Sequence, residues 1–111
     1  MAAGPTRIET FTAAGTMDLG CAKLGSVSRW AVRITGTGWT GSVTPRAKPV
    51  GDDQADYREI GWYNMETVAN VAAGGAPTAD STMLIDSTGM DVELVVVASG
   101  SVRITASPVL G

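Results

Sequence analysis

Two stretches of alternation limit what this chain can fold into. In the first, Trp30, Val32 and Ile34 fall at every second position while Arg29, Ala31, Arg33 and Thr35 take the other, the period of a strand with one buried face. Gly36-Thr37-Gly38-Trp39-Thr40-Gly41 then supplies three glycines in six residues, a composition suited to a tight corner with positive φ. Ser42 to Lys48 resumes an extended pattern, so the segment 30–47 predicts a β-hairpin. Pro45, which lacks an amide donor, places the second arm at a sheet edge or at a bend.

The second stretch, Asp91 to Ser107, repeats this plan in reduced form. Val92, Leu94, Val96 and Ala98 share one face and Glu93, Val95 and Val97 the other; both are mostly apolar, which predicts burial on both sides. Ser99-Gly100 is a two-residue turn signal, after which Val102, Ile104 and Ala106 alternate with Arg103, Thr105 and Ser107. Val-Arg-Ile-Thr occurs at both Val32–Thr35 and Val102–Thr105. Two hairpins packed face to face about 10 Å apart make an all-β fold, an antiparallel β-sandwich or jelly-roll-like domain. In it Trp30, Val32 and Ile34 pair with Val92, Leu94 and Val96.

The flanks divide the chain into an N-terminal arm, 1–22, and a single β domain, 23–111. The arm is rich in Ala, Gly and Thr, with Ile8, Phe11, Met17 and Leu19 as its apolar anchors, and reads as partly extended chain that orders when docked. Residues 49–56 and 74–82 have loop composition. Between them, Tyr57 to Tyr63 reads as a short strand with Ile60 and Trp62 inward, and 64–73 as extended chain. Thr82 to Asp86 reads as a further strand, closed by the Ser87-Thr88-Gly89 turn.

Chemistry is constrained by what is missing. Of 111 residues none is histidine, which removes the commonest general base and metal ligand. Cys21 is the sole cysteine, so neither an internal disulfide nor a thiolate zinc site can form within one chain; a small buried hydrophobe is its simplest role. A net charge of −3 with scattered basic residues gives no electrostatic footprint for nucleic acid. No apolar run reaches the length of a membrane span, and the N-terminus lacks a secretory core, so a soluble protein made in a cytoplasm is expected. Hydrophobic residues make up 44% and charged residues 17%, a balance that points to apolar surface covered by identical subunits.

Candidate sites follow from exposure. Asp52, Asp53 and Asp56 do not have calcium-loop spacing and read as a solvated acidic loop. Trp39, Trp62 and Tyr63 suggest a sugar-stacking platform, although Trp62 is in phase with Ile60 and so belongs to the core. Trp39 at its glycine corner caps a sheet end, contacts a neighbouring subunit, or stacks on a ligand. Arg33 and Arg103, outward on their strands, suit solubility or inter-subunit ion pairs. With Ile8 and Phe11 of the arm and Val95 and Val97 on the second face of their strand, these residues form the expected interface: Ile8, Phe11, Arg33, Trp39, Val95, Val97 and Arg103. No pair of carboxylates has hydrolase spacing, and no catalytic residue, cofactor or metal is expected.

The run GSVSRWAVRITGTGWTGSVTPRA, the short strand YREIGWYN and the closing DVELVVVASGSVRITAS resemble small virion proteins of tailed bacteriophages. The resemblance spans roughly Leu24 to Pro108 and departs from the pattern in the Ala/Gly-rich N-terminus and at 64–81. It implies a non-enzymatic structural role in a virion, with a capsid decoration or cement protein on the major capsid protein as the leading expectation. A tail, neck or head-fibre component is the alternative within that class, and a carbohydrate-binding module the alternative outside it.

Overall fold

The computed structural model describes residues 6–21, 28–52 and 54–110. They form eight β-strands: β1 (Arg7–Phe11), β2 (Gly15–Gly20), β3 (Ser28–Pro49), β4 (Arg58–Glu59), β5 (Trp62–Asn64), β6 (Ala69–Val71), β7 (Ser81–Asp86) and β8 (Met90–Leu110). All ladders are antiparallel and belong to one sheet of order β1-β8-β3-β7-β5-β6, with β2 also on β8 and β4 on β3. This path does not return on itself. Among the described residues no helix is long and apolar enough to cross a membrane.

Neither of the two expected hairpins forms. Each is one long strand, of 22 residues for β3 and 21 for β8, and the two pair with each other from Ser28↔Leu110 to Pro49↔Met90. The glycine corners bend these strands without reversing them. Hence Val32 and Ile34 pair with Ala106 and Ile104, and Val92, Leu94 and Val96 pair with Ala47, Pro45 and Val43.

A single extra residue keeps one face buried through the bend. The ladder runs without interruption to Thr37↔Ser101 and resumes at Thr40↔Ser99, so Gly38 and Trp39 stand against Gly100 alone, two residues against one, as in a β-bulge. Along β8 the inward positions stay even, from Val92 to Pro108. Along β3 they are even before the bulge (Trp30, Val32, Ile34) and odd after it (Val43, Pro45, Ala47). An unbulged β3 would turn Ser42, Thr44 and Arg46 inward, because a one-residue slip exchanges the faces.

The buried side chains of both halves, with Met17 and Leu19 of β2, Met83 and Ile85 of β7, and Trp62, form one cluster. Among the described residues no helix covers that face; the sheet folds over on itself and buries it between its halves. Ties cross from half to half: Trp30 Nε1 donates to Gly20 O at 3.1 Å, Cys21 Sγ to Ser87 O at 3.3 Å, and the Arg7 guanidinium to Asp18 O. Pro45 costs β3 no bond to β8. Its carbonyl accepts from Ile60 N at 3.1 Å, on the side away from β8, and in a strand the missing N–H points the same way as the carbonyl.

The segment expected as an arm is part of this sheet over residues 7–20. β1 lies along Val102–Ala106 and β2 along Val92–Val96 of β8, and Met17 and Leu19 are 4% and 2% exposed. Alternation decides the outcome: Met17 and Leu19, two apart, complete a core that the later strands leave open. The proposed boundary at 22/23 lies outside the described residues. Val95 is half-buried and Val97 is 55% exposed, so burial on both sides of 91–98 is not achieved within one chain.

Two glycines at the bend separate steric from conformational strain. A Cβ on Gly41 (φ 120°) would lie 1.7 Å from Val97 O, whereas one on Gly38 (φ 62°) meets nothing within 4 Å. Gly41→Ala is therefore expected to destabilise by more than about 2 kcal/mol and Gly38→Ala by about 1 kcal/mol, read as shifts of the urea midpoint at constant slope. Equal shifts would contradict the close approach at Gly41. Deleting residues 1–20 removes Met17, Leu19 and both outer strands, and should abolish the cooperative thermal transition seen for the full chain.

Candidate functional site

The folded sheet offers two outer faces, and cross-strand register says what each carries. On the half built from β1, the end of β8, the start of β3, and β7, one row reads Ile8, Thr105, Arg33, Thr82, and the next Thr10, Arg103, Thr35. Three expected interface residues thus share one face: Ile8, which is 55% exposed, with exposed Arg33 and Arg103. Val95 and Val97 lie on the other outer face, where Val95 stands between Thr16 and Thr44 and Val97 opposite Ser42.

Two expected interface residues face inward. Phe11 is half-buried against the core, its ring so close to Gly15 that a Cβ there would meet it at 2.8 Å. Trp39 is 9% exposed and its Nε1 donates to Asp80 Oδ1 at 3.0 Å. It is not an exposed tip. The bulge that lengthens β3 by one residue turns Trp39 onto the core, and Asp80, from the loop before β7, receives its indole N–H. Sequence periodicity gave no sign of Asp80, since the contact joins residues 41 apart.

The aromatic platform is dismantled by the same geometry. Trp62 is buried at 6% exposure, with Nε1 donating to Gly75 O at 3.2 Å, so Tyr63 alone of the three keeps an outward ring. It borders a groove of about 510 Å³ lined by Arg29, Tyr63, Asn70, Leu84 and Asp86 together with Trp62. Tyr63 stands opposite Leu84 and Asn70, and Arg29 opposite Asp86. The Asp86 carboxylate accepts from Thr88 N at 2.9 Å, a bond that, ahead of the hydroxyl of Thr88 and the charge of Arg29, holds it below the ordinary carboxylate range.

On the second outer face, Arg46 stands between Glu93 and Glu59 and its Nη2 donates to Tyr57 O at 2.7 Å. The Lys48 ammonium lies 5.0 Å from the centre of the Tyr57 ring, in cation–π range. Desolvation raises the Tyr57 phenol above its ordinary value, and the charges of Asp18, Glu93 and Asp91 add to the effect. No group of three or more His, Cys, Asp or Glu side chains that could hold a metal ion occurs among the described residues. In the acidic loop Asp52 Oδ1 accepts from Gln54 N at 3.0 Å, a local turn bond, and Asp53 lies outside the described residues.

Comparison with known proteins adds one fold. The crystal structure of the SPBc2 prophage-derived protein YomS matches 96% of this chain and 96% of its own, with a TM-score of 0.56 and 17% sequence identity. The two chains share a fold from end to end. No protein-family model matches the chain, and no curated protein matches it in sequence.

Tyr57 gives a direct check of the second outer face. A folded-state pKa above the unfolded one leaves stability intact below the unfolded value of 10.0 and removes it as pH rises through the folded value. The phenolate absorbance of wild type minus that of Tyr57→Phe should therefore rise above pH 10, and Tyr57→Phe should lessen the alkaline loss of stability. A difference titration centred at or below 10 would contradict this environment.

Proposed function

We propose that this chain is a structural protein of a bacteriophage particle, without enzymatic activity, and that it acts as a capsid decoration or cement protein binding the virion surface as a homo-oligomer. The observation that carries the reading is the end-to-end correspondence with a prophage-derived protein. In that light the folded-over single sheet takes the place of the sandwich expected from the sequence, a rigid body whose two outer faces are available for contact.

The mechanism is multivalent attachment. Identical subunits engage one another and the major capsid protein through the faces that carry Ile8, Arg33 and Arg103 on one side and Val95 and Val97 on the other. Each contact is modest, and repetition on the lattice raises the effective concentration for the next. Attachment through a free arm at 7–20 is no longer part of the mechanism, because those residues complete the core.

Quantitative mass spectrometry of purified particles of the phage that encodes the chain tests this reading. A copy number commensurate with the major capsid protein is expected. A handful of copies per particle would move the protein to the tail, neck or head fibres, and absence from particles would overturn the virion reading. Saturable binding on a glycan array that is lost in Tyr63→Ala would instead favour the carbohydrate-binding alternative, through the groove beside Tyr63.

A further inference from the structure

We infer that β1 is the seam through which two copies of this chain join, its free edge pairing antiparallel with the same strand of a second copy about a twofold axis at Ile8. β1 uses one edge for β8, and its other edge enters no ladder among the described residues. An unpaired edge is a template for another strand unless it is blocked. Blocking by charge is the usual device, but here the charges are self-complementary.

Consider each register of β1 against its own copy. With Ile8 opposite the partner's Ile8, Arg7 falls opposite the partner's Glu9, Glu9 opposite the partner's Arg7, and Thr6 opposite the partner's Thr10. Opposite charges facing each other across an antiparallel pair stabilise it, and like charges destabilise it. Sliding by one residue pairs Ile8 with a glutamate or an arginine. Sliding by two sets Glu9 against Glu9 or Arg7 against Arg7. One register alone therefore satisfies both charges and the apolar residue, and twofold symmetry supplies the ion pair twice.

The side chains are placed for it. Arg7, Ile8, Glu9 and Thr10 are all exposed. Arg7 gives one N–H to Asp18 O, and a guanidinium has further donors for a carboxylate. Ile8, 55% exposed, would lie on its counterpart at the centre of the seam. The remaining edges lack this match. β2 carries one charge, Asp18; β6, Ala69–Val71, carries none; β4 carries both signs but is two residues long, too short to hold a pair of subunits together.

This inference rests on the homo-oligomer of the proposed function and gives it a contact and a register. In a Cys21→Ser background, Ile8→Cys is expected to form a disulfide-linked dimer on mild oxidation. Directly opposed residues of an antiparallel pair have Cα atoms about 4.5–5.5 Å apart, within the disulfide range of about 4.4–6.8 Å. Thr10→Cys, opposite the partner's Thr6, should not cross-link. By sedimentation equilibrium, Arg7→Glu and Glu9→Arg should each weaken dimerisation by about tenfold or more, and the double exchange should restore it to within about threefold. Circular dichroism matching wild type shows that these exposed positions leave the fold intact.

Failure of Ile8→Cys to cross-link, or a double exchange that does not recover, overturns the seam. Presence of the protein in particles despite that failure leaves the virion reading standing. Cross-linking by a protein absent from particles does the reverse.

Discussion

The ladder between β3 and β8 governs the rest of the structure. It joins two strands of about twenty residues whose apolar side chains must all reach one face, although the sheet turns back on itself midway. Pairing in a sheet is rigid in parity, since directly opposed residues share a face. β8 meets the requirement with unbroken alternation from Val92 to Pro108, and β3 meets it by inserting Trp39 at the bulge. The glycines serve this one purpose. Gly38 takes the left-handed conformation that opens the bulge, Gly100 stands singly against two residues, and Gly41 leaves room for the Val97 carbonyl.

Four further strands pair directly with that ladder, and β5 and β6 follow through β7. β1 and β2 occupy the far edge of β8, one on each side of the bend, while β7 and β4 occupy the far edge of β3 in the same way. The short connection between β1 and β2 therefore passes from one half of the folded sheet to the other. The turn after β7 does likewise: Asp86 lies opposite Arg29 in one half and Met90 opposite Pro49 in the other, and Met90 N closes the turn on Ser87 O at 2.9 Å. The core is covered because the chain crosses between halves at the places where the long strands do not.

Strand content and inward faces were legible in the sequence, and the long-range pairing was partly legible too. A two-residue hairpin at Ser99-Gly100 would set Val96 opposite Arg103 and Leu94 opposite Thr105, placing the two apolar stripes on opposite faces. Unbroken even alternation from Val92 to Ala106 thus argues for one strand, and parity alone excludes that hairpin. At Gly36–Gly41 parity does not decide. A four-residue loop and a one-residue bulge both carry Ile34 and Val43 to the same face, and either uses glycines at positive φ. Which one forms depends on whether β3 has a partner as long as itself, a property of β8 and not of the local residues.

The outer faces were less legible because exposure depends on what the fold leaves uncovered. Ile8, Arg33 and Arg103 could be assigned outward by alternation, but their assembly into neighbouring rows needs the register of β1 and β3 on β8. Trp39 shows the opposite case: glycine neighbours suggested a tip, and an inserted residue turned it inward to Asp80. The same parity rule that buries Trp39 also fixes what β1 can present. Because β1 is locked to β8 at Ile8↔Thr105, Ile8 must face outward and Arg7 and Glu9 must flank it on the other side. The sheet buries the inner side chains of its long strands, and β1 at its margin keeps Arg7 and Glu9 exposed beside an edge that enters no ladder among the described residues.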